Sequence, residues 1–513
     1  MKDREIELKL EGDPEALESL YDDHAFLAMM KGKATDRHLR SIYFDTPDFA
    51  LMNNGFALRV REDGQNRVQT LKSSSKSGGP ASDRGEWEHA LKANMKNPDL
   101  NYLPSELRSR IADLAGQGLM QPRFVSTINR RASRLQFDHG GEVELVIDRG
   151  AIEANGRKSA VSELELELKR GTAADLYQIA LKLIDLVPLR IGIRSKAERG
   201  RALANGQVAA ARRATPLQIK RKATVEEAYA AVLEHCLDQM MVNQAAALET
   251  HSSEGLHQMR VALRRLRSAL LVFGPMMNGE REDGFKRDAS WLTKAIGRAR
   301  DYDVILADII DPALAASEEK SPPVKALAKM AKEYREEAWR AALAAMRSKR
   351  TTRFILNLAL YLETRGWCEG RTRREVSAMR GSLAPFAASA LDKRLKSVHR
   401  LARDISELSV DARHELRKRL KKLRYALSFF AGLYPHAAAN AYLSRLSNLQ
   451  KVFGSLNDLQ TAEDILIELS KKNSRFKKPG ARLLTHHKER AADDWSSALA
   501  LWRDFRDQPV LWH

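Results

Sequence analysis

Short runs in which charged and apolar residues alternate one for one mark the first 200 residues. Glu5-Ile6-Glu7-Leu8-Lys9-Leu10, Leu58-Arg59-Val60-Arg61 and Glu163-Leu164-Glu165-Leu166-Glu167-Leu168-Lys169 are the clearest. In an extended chain this period of two puts every charge on one face and every apolar side chain on the other, so each run predicts a strand. Turn-rich stretches separate the runs, among them Ser73–Ser82 and Asn155-Gly156. Helical spacing appears at Pro14–Tyr21 and Ala173–Leu186. From Leu203 to Lys222 the chain is rich in Ala, Gly, Gln and Arg, is broken by Pro216, and predicts a linker. Beyond it the spacing is helical almost to the end, with a loop expected at Glu318–Pro323. The expected organisation is an α+β domain over 1–203, a linker over 204–219 and an all-α bundle over 220–508.

The helical part repeats itself. His257, Arg260, Arg264, Arg265, Leu266, Arg267 and Leu270 align with His414, Arg417, Lys421, Lys422, Leu423, Arg424 and Leu427 at an offset of 157 residues. At the same offset Leu292, Lys294, Gly297 and Asp301 meet Leu449, Lys451, Gly454 and Asp458. Two segments that match without a gap predict an internal duplication.

Charge sharpens this division. The 513 residues carry a net charge of +19, yet residues 1–200 hold 31 basic and 31 acidic side chains, so the whole excess lies in 201–513. A uniformly basic protein is excluded, and the second half expects a polyanion. Placed on a helix, His257, Arg260, Arg264, Arg265 and Arg267 share about 160° of arc. Met259, Leu263, Leu266 and Leu270 take the opposite side. In the second repeat His414, Arg417, Lys418, Lys421, Lys422, Arg424 and Tyr425 oppose Leu416, Leu420, Leu423 and Leu427. A solvated face would mix signs; here Glu415 is the only acid within either repeat, which favours anion binding. Arginine forks suit phosphate, and Lys421 and Lys422 keep the charge of Arg264 and Arg265 without the fork. Protonation of His257 and His414 near neutral pH would add to these faces. Asp301 and Asp458 read as helix-boundary or arginine-orienting residues. Aromatic residues make up only 6% of the chain, which favours a phosphate polymer over single-stranded nucleic acid. The two cysteines, Cys236 and Cys368, form no CxxC pair and suit a reducing cytoplasm. The opening MKDREIELKL has no signal-like apolar core and no run of eighteen apolar residues occurs, so no membrane partner is expected.

The charged strand faces carry the candidate chemistry. Glu5 and Glu7 share one face, Glu163, Glu165 and Glu167 another. Two such faces brought together offer hard oxygen ligands suited to Mg²⁺ or Mn²⁺. Arg59, Arg61, Lys72 and Arg84 supply cations for phosphoryl oxygens. A salt-bridged, solvated sheet face accounts for the same spacing.

These residues resemble the CYTH family, the triphosphate tunnel metalloenzymes. The likeness runs over roughly residues 1–203. It rests on the ExExK signature Glu5-Ile-Glu7-Leu-Lys9, Tyr43-Phe44-Asp45-Thr46-Pro47, Leu58-Arg59-Val60-Arg61, Arg84-Gly-Glu86-Trp-Glu88, Glu163 to Lys169, and Ser195-Lys196-Ala-Glu-Arg199-Gly200. Roughly residues 220–505 resemble a CHAD domain on His257-x-x-Arg260, Gly297 to Asp303 and His414 to Leu427. The first resemblance implies a closed eight-stranded antiparallel barrel with charged faces inward. It implies Glu5, Glu7 and Lys9 as the catalytic core and Glu5, Glu7, Glu163, Glu165 and Glu167 as metal ligands. Lys9, Arg59, Arg61, Lys72, Arg84, Arg130 and Lys196 would bind the triphosphate. The implied reaction is metal-dependent hydrolysis of tripolyphosphate to pyrophosphate and phosphate. The second resemblance implies that the basic helices bind inorganic polyphosphate, in the cytoplasm and in association with polyphosphate granules. The alternatives are an enzyme acting on thiamine triphosphate or a nucleotide, and a polyanion-binding protein without catalysis.

Overall fold

The computed structural model describes residues 4–75, 79–116, 120–137, 140–315 and 322–513, and side-chain statements exclude 455–458 and 486–494. Of the loop expected at Glu318–Pro323, residues 318–321 lie outside the described residues and Pro322 and Pro323 instead open the helix Pro322–Arg347; the side chain of Asp458 is likewise outside. The chain forms two compact units. The first comprises 1–211 with 241–252 and 347–366, and the second comprises 212–240, 253–346 and 367–513.

The first unit is built on ten strands: β1 (Glu5–Gly12), β2 (Met30–Asp45), β3 (Phe56–Asp63), β4 (Asn66–Ser73), β5 (Ala81–Arg84), β6 (Glu86–Leu91), β7 (Gln121–Gln136), β8 (Glu142–Ala154), β9 (Arg157–Arg170) and β10 (Leu189–Ile191). They form one antiparallel sheet in the order β10-β1-β9-β8-β7-β2-β3-β4-β6, with β5 paired to β1. The eight continuous staves of the expected closed barrel are thus replaced by a curled ten-stranded sheet. Gly85 alone separates β5 from β6, and these pair with different neighbours, β1 and β4. A Cβ at Gly85 would sit 2.3 Å from the Trp87 ring, so a bulkier residue could not make this switch. The hairpin between β8 and β9 turns on Asn155 and Gly156, both at positive φ (48° and 73°), the geometry that an Asn-Gly pair adopts readily.

The alternation foreseen in the sequence sorts the two faces. Leu8, Leu10, Leu164 and Leu166 are fully buried on the convex side. The helix Ala173–Leu186 packs there, presenting Leu176, Ile179, Leu183 and Ile184. Each such side chain contributes about 1.5–3 kcal/mol on burial. A capping box between Thr172 and Asp175 starts that helix. A second apolar cluster holds Tyr43, Phe49, Phe124, Ile128, Ile152 and Val161, closed by Ala197 and Leu203 of the helix Lys196–Ala204. With helices outside, the charged side chains are left facing the concave interior. Residues 207–220 carry no regular structure.

The second unit is helical. Its helix Ser253–Val272 buries Leu256, Met259, Leu263, Leu266 and Leu270. The helix Val410–Phe430 buries Leu416, Leu420, Leu423, Leu427 and Phe430. These are the apolar stripes that the spacing predicts, and the two helices pack against each other. Tyr425, expected on the charged face, is buried, with the Arg424 guanidinium 5.3 Å from its ring centre. Among the described residues no helix is long and apolar enough to cross a membrane.

Candidate active site

The concave face of the sheet lines a cavity of about 790 Å³. Register brings the charges together. Glu7 lies opposite Glu167 and Lys9 opposite Glu165 across β1 and β9, while Glu5 lies opposite Arg84 across β1 and β5. Of the residues expected to act here, Glu5, Glu7, Lys9, Arg59, Arg61, Lys72, Arg84, Arg130, Glu165, Glu167 and Lys196 all line the cavity. Glu163 does not: it is fully buried behind the ammonium groups of Lys9, at 3.1 Å, and Lys196.

Most of these charges are matched. Lys72 reaches Glu5 at 2.7 Å and Glu86 at 2.9 Å. Arg84 bridges Glu5 at 2.8 Å and Glu7 at 2.7 Å. Lys9 and Lys196 each lie 2.9 Å from Glu165. Arg130 lies 3.2 Å from the same residue, and Lys169 pairs with Glu144 and Glu167 at 2.9 and 2.5 Å. Burial raises the Glu5 and Glu165 carboxyls, but the cations outweigh it and hold both far below the ordinary range.

Three groups depart from this balance. Arg59 is buried and Arg61 half-buried in the cavity wall, and the Nε–H of each is buried with no hydrogen-bond partner. An unpaired buried donor costs about 1–3 kcal/mol, more on a charged group. Burial, with Arg59 and Arg130 nearby, pushes Arg61 down to about 9. Glu7 is the third: burial, Glu165 and Glu5 raise it against the pull of Arg84 and Lys9. The wall therefore presents one under-compensated cation on β3, Arg61, and an under-compensated carboxylate on β1, while Arg59, which burial would lower, is held in its charged form by Tyr43 and Glu86. An anion at the first and a cation at the second would relieve both. Glu5, Glu7, Glu165 and Glu167 supply hard oxygen donors to one cavity, the donor chemistry that suits Mg²⁺ or Mn²⁺, while among the described residues the three carboxylates whose oxygens converge within 4.8 Å are Asp148, Glu163 and Glu165. Backbone geometry supports the placement of Lys9: Gly192 donates its N–H to the Lys9 carbonyl at 3.0 Å, and a Cβ at Gly192 would lie 2.9 Å from Lys9 Cγ.

Two further residues join the site. Tyr43 lines the cavity with its hydroxyl bonded to Arg59. It falls inside the Tyr43–Pro47 motif, but a tyrosine among apolar neighbours gives no sign of its partner. Asp148, fully buried on β8, pairs with Arg130 and Lys196. It continues the alternation of Glu142 and Glu144, a signal that Val146 interrupts.

In the second unit, Arg260 Nη1 donates to the Gly297 carbonyl at 2.9 Å and to Asp301 at 3.0 Å, which gives Asp301 the arginine-orienting role. Its guanidinium lies 3.8 Å from where a Cβ on Gly297 would be, and Arg417 Nη2 lies 3.8 Å from the same point on Gly454. Arg264 is pushed below its ordinary value by burial, with Arg260 on its own helix and Arg424 on Val410–Phe430 adding to this. Arg265 turns elsewhere, to Ser428 Oγ at 3.3 Å and over the Phe429 ring. Arg267, Arg417, Lys421 and Arg424 are half-buried, and His414, Lys418 and Lys422 are exposed. The expectation that His257 charges near neutrality is corrected. Burial and Arg300, assisted by Arg264 and Arg260 and opposed by Glu254, push it down to about 4.

Comparison with known proteins follows the same division. Residues 3–200 match the model of the CYTH domain and residues 231–467 that of the CHAD domain. An inorganic triphosphatase of Haemophilus influenzae is 29% identical over 208 residues, which is 40% of this chain. That match spans 56% of the relative's own length. An uncharacterized protein of Mycobacterium tuberculosis is 24% identical over 456 residues, 82% of this chain and 81% of that one. The crystal structure of a CHAD domain from Ricinus communis superposes with a TM-score of 0.51 at 28% identity, covering 59% of this chain and 98% of that one.

Proposed function

Starting from a chain that consists of a CYTH domain at residues 3–200 followed by a CHAD domain at 231–467, we propose that the cavity hydrolyses inorganic tripolyphosphate to pyrophosphate and phosphate. The observation that carries the reading is the pair Arg59 and Arg61, with unpaired Nε–H donors, in the wall of a cavity that Glu5, Glu7, Glu165 and Glu167 also line. Such a wall is unfavourable until a multiply charged anion fills it. Arg59 and Arg61 supply planar forks for phosphoryl oxygens, while Lys9, Lys72, Arg84, Arg130 and Lys196 surround the rest of the chain of phosphates. Fixed cations stabilise the charge that spreads over the transferred phosphoryl group. Glu5, Glu7, Glu165 and Glu167 would hold Mg²⁺ or Mn²⁺, which when bound polarises phosphoryl oxygens and offsets their charge. Glu163, behind Lys9 and Lys196, serves as their counter-charge. The curled sheet, with β5 returning to β1, acts as the tunnel wall.

Tyr43 and Phe56 are the aromatic side chains of the lining. That is little surface for stacking a base or a thiazole, and it favours a substrate without an organic group. The similarity of the first unit to an inorganic triphosphatase supports the same choice. The helical unit is assigned to inorganic polyphosphate binding through Arg260, Arg264, Arg417, Lys421 and Arg424. The matching placement of Arg260 and Arg417 against Gly297 and Gly454 supports a duplicated site.

Phosphate release from tripolyphosphate, ATP and thiamine triphosphate, each with Mg²⁺ or Mn²⁺, tests the proposal. Tripolyphosphate should turn over fastest. Faster turnover of either organic triphosphate would overturn the choice of substrate.

A further inference from the structure

Asp148 does not line the cavity, yet two residues that do are held by it. It is fully buried on β8, opposite Arg130 of β7 and Glu163 of β9. Arg130 donates Nε and Nη2 to its two oxygens at 2.7 and 2.6 Å, a fork-on-fork contact that fixes the plane of the guanidinium. Lys196 Nζ lies 2.7 Å from Asp148 Oδ2, the oxygen that also accepts from Arg130 Nη2. Beyond Asp148, Arg130 and Lys196 share Glu165, at 3.2 and 2.9 Å.

Asp148, Glu163 and Glu165 bring oxygens within 4.8 Å of one another, a donor set that could hold a metal ion. The cation of that cluster is already supplied by the chain. Lys196 Nζ touches all three carboxylates, and Lys9 Nζ touches Glu163 and Glu165. An ammonium with three carboxylate partners has each of its N–H donors engaged and a fixed position. Removal of Asp148 would leave Glu165 as the shared carboxylate of Arg130 and Lys196, drawing both toward the cavity wall and away from a ligand.

We propose that Asp148 is a positioning residue for the triphosphate: its carboxylate sets Arg130 and Lys196 in the orientation from which they meet phosphoryl oxygens. This rests on the reading of the cavity as a triphosphate site.

The test uses the full chain and isothermal titration with tripolyphosphate in EDTA, alongside Mg²⁺ titrations of turnover. Asp148→Asn, of equal size, should raise the metal-free Kd about tenfold and leave the half-saturating Mg²⁺ unchanged. Asp148→Glu, which restores the charge with a longer reach, should give an intermediate Kd, and it serves alone where the Asn variant does not fold. In double-mutant cycles, Asp148→Asn should cost less in a Lys196→Ala or an Arg130→Ala background than in wild type, because it acts through both residues. A lower Tm with unchanged Kd would make Asp148 a fold element only and overturn the proposal. A raised Mg²⁺ requirement with unchanged metal-free Kd would make it a metal ligand and overturn it equally. Wild-type binding without turnover would overturn the enzymatic reading alone, and absence of binding would overturn both.

Discussion

Replacement of Arg61 by methionine separates what the cavity does for the fold from what it does for a ligand. Arg61 lies in the cavity wall with an unpaired Nε–H and with Arg59 and Arg130 nearby. Burial, with Arg59 and Arg130 nearby, pushes its value down to about 9 and so opposes the charged form. The folded value lies below the unfolded one, so the penalty is fully present below about 9 and relaxes as pH rises further. Methionine keeps the apolar stem, is unbranched and removes the charge. Repacking and water entry absorb much of the gain, leaving about 1–2 kcal/mol of net stabilisation for the ligand-free protein. That corresponds to a Tm raised by about 2–8 °C in a unit of this size. The same change removes charge-assisted hydrogen bonds of about 1.5–3 kcal/mol to the ligand, so tripolyphosphate should bind about 10- to 100-fold more weakly. Thermal unfolding at pH 7 and calorimetric titration of one preparation give both numbers. A variant that loses stability, or that binds tripolyphosphate as tightly as wild type, would refute the view that Arg61 is held ready for an anion.

Glu7 and Glu5 should respond in opposite senses. Glu7→Gln relieves the repulsion from Glu5 and Glu165 while Arg84 keeps Glu5, so the fold should be at least as stable, with the advantage over wild type growing as pH rises above 4.5. Its turnover should fall by about 100-fold or more with a higher Mg²⁺ requirement, read by Mg²⁺ titration of phosphate release. Glu5→Gln strips a partner from buried Lys72 and Arg84 and should lower stability by about 3–5 kcal/mol in urea unfolding at pH 7. Because the folded Glu5 carboxyl is depressed, that loss should shrink as wild type is acidified below 4.5. In the helical unit, Arg260→Glu with Arg264→Glu should weaken polyphosphate binding and flatten its salt dependence, measured by titration at several salt concentrations. Displacement of polyphosphate by single-stranded DNA at equal phosphate concentration would count against that ligand.

Alternation was enough to read β1, β3 and β9 and to place Glu5, Glu7, Arg59, Arg61, Glu165 and Glu167 on charged faces. That these faces line one cavity depends on register, which period two leaves open: a slip of one residue would reverse every side chain. For the same reason Glu163 looked equivalent to Glu165 and Glu167. It differs because Lys9 and Lys196 stand between it and the cavity. Asp148 was hidden by the apolar Val146 preceding it in its strand phase, and its partners lie 18 and 48 residues away in sequence. The split at Gly85 passes unseen, since a lone glycine in a strand does not say which neighbours its two halves choose. In the helical unit the apolar stripes were legible, whereas the low value at His257 arises from Arg300, on a different helix, as well as from burial.

The central claim is that this cavity cleaves inorganic tripolyphosphate with the help of a divalent ion. Phosphorus NMR of tripolyphosphate incubated with the full chain, with Mg²⁺ and with EDTA, addresses it directly. With Mg²⁺ the signal should be replaced by pyrophosphate and phosphate in equal amounts, and with EDTA it should persist. Turnover that survives EDTA, or intact tripolyphosphate in the presence of Mg²⁺, would contradict the account.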